Sequence, residues 1–192
     1  MYLEFIQAFV LLIVIMDPLV SMLAFLSMTK NLKDAERNIV VIKAVLVAAI
    51  PLFLSILFGN LLLEIMRVNM STFKAAGGLI LVLLGIQLSL GVSFRKKEEE
   101  IHDIGAIAAV IGTPLITGPA TISAAILLTN EIGSMITAMA GITALIIVFI
   151  ALRLCSTLHT FLGSTGIRVL STMMGLITVA WGISFIKEGF FV

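Results

Sequence analysis

Apolar residues fill this chain in stretches of about twenty, parted by short charged segments, where a helix of a soluble protein would show one apolar stripe and one wet face. A bilayer core of about 30 Å asks for about 20 apolar residues per helical crossing. On that ruler the pattern predicts six spans: residues 3–28, 39–63, 73–92, 104–129, 134–158 and 167–187. The first is split by Asp17-Pro18 into pieces too short to cross alone, so they cross in series. Pro51 interrupts the second only mildly, and a solvated linker centred on Arg95-Lys96-Lys97-Glu98-Glu99-Glu100 lies at the midpoint of the chain.

One stretch is written twice. Val14-Ile15-Met16-Asp17-Pro18-Leu19-Val20-Ser21 returns as Val110-Ile111-Gly112-Thr113-Pro114-Leu115-Ile116-Thr117, 96 residues later. A proline inside an apolar span removes a backbone donor and clashes with the preceding turn, so it kinks or breaks the helix. The order polar residue, then proline suits the start of a new helix, with Asp17 or Thr113 at N-cap and Pro18 or Pro114 at the first helical position. Gly78-Leu79-Ile80 and Gly85-Ile86 likewise return as Gly175-Leu176-Ile177 and Gly182-Ile183, at an offset of 97. Three crossings per copy turn the second copy upside down, so the expected architecture is all-α, a polytopic membrane protein of six transmembrane helices in an inverted 3+3 repeat with discontinuous first and fourth helices. Repeat one covers about 1–93, a cytoplasmic linker about 94–103, and repeat two about 104–192.

Composition agrees with the span pattern. Hydrophobic residues are 60% and charged residues 12% of the 192, against about 45–50% and about 25% in soluble domains. The formal net charge of +1 and the lack of a basic, aromatic-bearing patch give no footprint for nucleic acid. A lone Cys155 makes neither an intramolecular disulfide nor a cysteine metal site, and His102 and His159 have no partners at metal-ligand spacing, so both read as solvated. Met1-Tyr2-Leu3-Glu4 lacks the basic region of a cleaved signal, so the first apolar run is expected to remain as a helix. Lys and Arg fall nine on one side (Lys30, Lys33, Arg37, Lys43, Arg95, Lys96, Lys97, Arg153, Arg168) and three on the other (Arg67, Lys74, Lys187). That asymmetry puts the linker in the cytoplasm and both termini outside the inner (cell) membrane.

Asp17 is the acidic residue placed well inside a span. Charges at that depth cost about 2.5–3.5 kcal/mol on insertion scales and tend to mark pathways or proton relays. Capping the half-helix begun by Pro18 is the plainer role, and the two are compatible. In the second copy, Thr113-Pro114-Leu115-Ile116-Thr117-Gly118-Pro119-Ala120-Thr121-Ile122-Ser123 carries two prolines five residues apart with a glycine between, which one regular helix cannot hold. Unwound backbone at membrane depth is tolerated where protein buries it or it lines a wet cavity. Its freed amides and carbonyls suit a small zwitterion, since helix N-termini favour anions and C-termini cations. The candidate substrate-binding set is therefore Asp17, Pro18, Ser21, Thr113, Pro114, Thr117, Gly118, Pro119, Thr121 and Ser123. Gly77, Gly78, Gly85, Gly175 and Gly182 are read as packing residues that seat the third and sixth helices against the broken ones. No resident cofactor or metal is called for; coupling to protons or sodium ions stays open. No span offers a second carboxylate or a base–nucleophile pair, so no catalytic constellation is expected.

At these motifs the chain resembles the MarC family of small bacterial and archaeal membrane proteins, which includes archaeal small neutral amino acid transporters. The resemblance rests on Asp17-Pro18-Leu19, Ala76-Gly77-Gly78 and Pro114-Leu115-Ile116-Thr117-Gly118-Pro119, in that order and over essentially the whole chain. Ala120 stands where the family often has a glycine after its second Gly-Pro, which bears on the shape of that turn. The resemblance implies secondary transport of small neutral amino acids such as glycine, alanine, threonine or serine. The residues by themselves reach a transporter of a small polar solute by alternating access, with a channel or a structural or regulatory membrane subunit as the alternatives.

Overall fold

The computed structural model describes residues 2–90 and 103–190, and these are helical throughout apart from short turns. The linker reading and His102 lie outside the described residues, as does the His159 side chain. In chain order the helices are α1 (Tyr2–Met16), α2 (Pro18–Met28), α3 (Asp34–Ile65), α4 (Met70–Leu90), α5 (Ile104–Val110), a wide π-helical turn (Ile111–Ile116), α6 (Pro119–Ile132), α7 (Ser134–Arg153) and α8 (Cys155–Phe190). Five helices are long and apolar enough to cross a membrane, with Tyr2–Met28 counted as one span; the pair Ile104–Ile116 and Pro119–Ile132, bent by 52°, makes a sixth if it is one span. The protein is thus an integral membrane protein of several crossings.

Local sequence explains most boundaries. Glu36 supplies half of a capping box at the start of α3, its carboxylate accepting from the Lys33 amide at 2.8 Å. The helix then runs on through Pro51, so that residue interrupts nothing. Asp103 caps α5 by accepting from the Ala106 amide at 2.7 Å. The predicted fifth span, 134–158, ends early. Its helix stops at Arg153, and residues 155–162 form a separate piece that Gly163, at φ 65°, turns into the span Thr165–Phe190. Glycine reaches that left-handed backbone without steric cost.

The interior is lined by small side chains at helical spacing. Ala44, Ala48 and Leu52 on α3, Ala140 and Ala144 on α7, and Ala124 on α6 are fully buried, which lets these helices approach closely where lipid supplies no hydrophobic drive. Leu46, Ile50, Leu54, Leu57 and Leu61 on the other side of α3 are exposed, as a lipid-facing surface requires.

The packing has a regular exchange pattern. Helix α1 lies on α7, and α3 on α5 and the π turn; α2 lies on α8, and α6 on α4. Helices α4 and α8 make the most extensive contact in the molecule. A Cβ at Gly78 would stand 2.5 Å from the Gly182 carbonyl oxygen, and one at Gly85 2.5 Å from that of Gly175. Residue numbers rise on one helix as they fall on the other, so the two run antiparallel with backbones almost touching. This corrects the role expected for Gly78, Gly85, Gly175 and Gly182: they seat α4 and α8 against each other. Gly77 alone of the set packs on a broken helix, against Ser123 and Leu127 of α6.

Polar ties hold the ends of the two half-helices α2 and α6. The Arg37 guanidinium donates to the carbonyl of Thr29, just past α2, at 3.0 Å. At the far end of α6, Asn130 donates to Asn60 of α3 at 3.2 Å, and Lys74 of α4 pairs with Glu131 and, at 3.0 Å, with Glu188 of α8.

Candidate functional site

The first break forms as its sequence dictates. Pro18 cannot continue α1, having no N–H to donate and a ring that meets the preceding turn. Asp17 takes a left-handed backbone (φ 37°, ψ 77°), which short polar residues tolerate better than others. Its Oδ1 then accepts from the amides of Leu19 and Val20, both at 3.2 Å, filling two of the orphan donors of α2. The Ser21 hydroxyl reaches back across the break to the Met16 carbonyl at 3.4 Å.

The second break begins at Thr113, where the duplicated motif puts it, and the next regular helix starts later than the motif suggests. Thr113 is extended (φ −141°, ψ 120°) and kinks the chain inside the π turn, across which the Thr117 amide donates to the Gly112 carbonyl. The peptide bond between Thr113 and Pro114 is cis. The new helix starts at Pro119, with Gly118 at N-cap. Thr113 and Pro114 are therefore not the N-cap and first residue of α6, and both are exposed. The physical reason is the turn itself: a five-residue hydrogen-bonded loop spans the proline's missing donor, and Gly112, whose Cβ would sit 2.5 Å from the Ala44 carbonyl, lies hard against α3.

Aligned by what they do, the two breaks match at Asp17-Pro18 and Gly118-Pro119. Thr121 donates to the Ile116 carbonyl at 3.1 Å, as Ser21 does to Met16. The difference is the cap. Gly118 has no side chain, so the N-cap residue offers none to the first amides of α6, those of Ala120 and Thr121. A Cβ at Gly118 would lie 2.7 Å from the Pro114 carbonyl, so a capping side chain has no room there.

The breaks adjoin each other. The piece before each one packs on the piece after the other, α1 on α6 and α2 on the π turn. Asp17, Pro18 and Ser21 at the first break and Thr117, Gly118 and Thr121 at the second are all buried. Pro119 is exposed at the start of α6, and Ser123, one turn on, faces Gly77 of α4. Ser21 and Thr121 spend their hydroxyls on backbone carbonyls. Thr117, with no exposed surface, has a hydroxyl without a hydrogen-bond partner among the described residues. Sequence reasoning missed Ser171, a buried serine of α8 beside the Asp17 carboxylate. It has no duplicate in the other half, and repetition was the signal that drew attention to the rest. Among the described residues, no cluster of three His, Cys, Asp or Glu side chains could hold a metal ion.

Comparison with known proteins matches this sequence to one family. The family model described as MarC family integral membrane protein matches residues 2–191. A UPF0056 membrane protein of Methanocaldococcus jannaschii is 30% identical, with 96% of this chain and 95% of that protein covered. One from Archaeoglobus fulgidus is 26% identical over 96% and 91%. The UPF0056 membrane protein YhcE of Escherichia coli is 29% identical over 94% and 89%. No solved structure matches.

Proposed function

The chain belongs to the MarC family of integral membrane proteins, and from that premise and the adjoining broken helices we propose a secondary transporter of small neutral amino acids, working by alternating access at a mid-membrane site. The observation that carries the reading is the contrast between the two restarts. Helix α2 begins on its own carboxylate, whereas α6 begins without a side-chain cap beside the unpartnered Thr117 hydroxyl. An uncapped helix N-terminus offers free amides and the positive end of the helix dipole, which suit the carboxylate of a zwitterion. The family resemblance points to glycine and alanine, then serine and threonine, as substrates.

The exchange pattern of the packing supports an inverted 3+3 repeat. Swapping the halves carries the α1–α7 contact onto α3–α5, α2–α8 onto α4–α6, and the antiparallel α4–α8 pair onto itself, as a two-fold axis in the membrane plane requires. In such a carrier the rigid glycine-packed pair serves as the frame, and the half-helices α2 and α6 open to opposite faces. The Lys and Arg asymmetry supports an inner-membrane orientation with the linker in the cytoplasm and both termini outside.

Thr117→Val tests the site without disturbing the shape. A buried hydroxyl with no partner costs about 1–3 kcal/mol of desolvation, so an isosteric methyl is expected to leave the empty protein as stable or more so. The same change removes a ligand for substrate. Glycine added to purified protein is expected to raise the melting temperature of the wild type and to do so far less in the variant. Equal glycine-induced shifts in both would take Thr117 out of the site.

A further inference from the structure

We propose that Lys74, Glu131 and Glu188 form a charged latch that closes the carrier on the face opposite to the linker, a role that rests on the alternating-access reading above. The Lys74 ammonium, one turn into α4, pairs with Glu131 in the last turn of α6 and, at 3.0 Å, with Glu188 in the last turn of α8. All three stand at the end of the bundle away from Leu90, where α4 ends. Beside them Asn130 of α6 donates to Asn60 of α3 at 3.2 Å. Polar side chains thus join the last turn of one half-helix to three neighbouring helices.

The two arms of the latch have different roles. A Cβ at Gly189 would stand 2.6 Å from the Ser71 carbonyl oxygen and 2.7 Å from the Ala75 amide nitrogen, so α4 and α8 already meet backbone to backbone beside Glu188. The Lys74–Glu188 arm adds little to that fixed contact; it holds the ammonium in position. Helix α6 sits on α4 more loosely. A Cβ at Gly77 would meet Ser123 Cβ at 3.3 Å and Leu127 Cδ1 at 3.4 Å, side-chain atoms that can part without disturbing backbone packing. The Lys74–Glu131 arm crosses this releasable contact. Its side chains are 18% and 33% exposed, wet enough to separate and rehydrate, where a fully buried pair would be held shut by the cost of parting it. At the other half-helix, Arg37 donates to the Thr29 carbonyl, just past α2, which is a neutral acceptor. The ties at the two faces are therefore unequal, and the ionic one biases the resting carrier toward closure on the side away from the linker.

The test is thiol labelling of Ser123→Cys, a nearly isosteric reporter that faces Gly77 across the contact the latch guards. Purified protein in lipid nanodiscs is treated with a water-soluble maleimide. Peptide mapping separates the reporter from the buried Cys155, which serves as the internal control. In the reporter background, Lys74→Met and Glu131→Gln are each expected to raise the labelling rate at position 123 about two- to fivefold, the range of a partly exposed ion pair. The double variant is expected to do no more than either single one, because both remove the same contact. Added salt is expected to raise the rate where the latch is intact and not in the double variant, since screening acts on the pair. Glu188→Gln is expected to change the rate less than Glu131→Gln. An unchanged rate in Glu131→Gln overturns the latch, and so does a matching rise at Cys155, which would mean a general loosening of the fold. Labelling needs no substrate, so the two readings fail separately. If vesicles exchange no glycine while labelling responds as expected, amino acid transport falls and the latch on α6 stands; if glycine exchanges and labelling does not respond, the latch alone falls.

Discussion

Gly78→Leu is expected to leave little folded protein in the membrane fraction, while Leu79→Ala, one position along on the exposed face, is tolerated. At Gly78 even a single methyl would meet the Gly182 carbonyl oxygen at 2.5 Å and the Ile186 amide nitrogen at 2.8 Å. These are backbone atoms and cannot rotate aside. The same contact recurs one heptad on, where a Cβ at Gly85 meets the Gly175 carbonyl at 2.5 Å and the Val179 amide at 2.7 Å, and again at Gly189 against Ser71 and Ala75. Overpacking a tight core costs about 1–3 kcal/mol for modest additions, so Gly78→Ala alone is expected to lower the melting temperature visibly and Gly78→Leu to part the helices. Since α4 carries α6 and α8 carries α2, a displaced pair misplaces both half-helices. Yield and thermal stability in detergent report the effect. Normal values for Gly78→Leu would mean that α4 and α8 do not pack backbone to backbone.

Substitutions at Asp17 separate its cap from its charge. Asparagine keeps a side-chain oxygen for the Leu19 and Val20 amides and tolerates the left-handed backbone, so Asp17→Asn is expected to fold close to wild type. Glycine suits φ 37° but gives up the cap. Alanine loses the cap, worth about 0.5–2 kcal/mol, and also bears the strain of a left-handed residue, roughly 1–2 kcal/mol more. The expected order of thermal stability is therefore Asn above Gly above Ala. Transport is expected to be lost or strongly reduced in all three, since none carries the charge. A variant that is stable yet inactive, as Asp17→Asn is expected to be, separates function from folding; full activity in it would leave Asp17 as a cap alone.

The first break was legible because its chemistry is local: an acid that caps and a proline that cannot donate sit side by side in Asp17-Pro18. The second was legible in part: the chain kinks at Thr113, but residues 113–119 contain two prolines, either of which can start the new helix. Which one does so depends on the π turn bridging Pro114 and on Gly112 pressed against Ala44 of α3, a tertiary contact that no local pattern carries. The glycines show the same division. Their seven-residue spacing marked one close-packed face on each helix, but the partner of that face follows from topology, and it is the other glycine helix. Ser171 lay beyond the reach of repetition altogether. It neighbours a carboxylate some 150 residues away in the chain, which only packing brings beside it.

Counterflow in reconstituted vesicles tests the central claim most directly. Vesicles loaded with unlabelled glycine are diluted into trace labelled glycine, with and without proton and sodium gradients. A carrier with one site exposed alternately to each face predicts transient accumulation of label above equilibrium, saturable with external glycine, competed by alanine and serine, and absent from vesicles loaded with buffer alone. Uptake that rises linearly with concentration and ignores the internal glycine would identify a pore, and no uptake beyond protein-free vesicles would remove glycine transport from this protein.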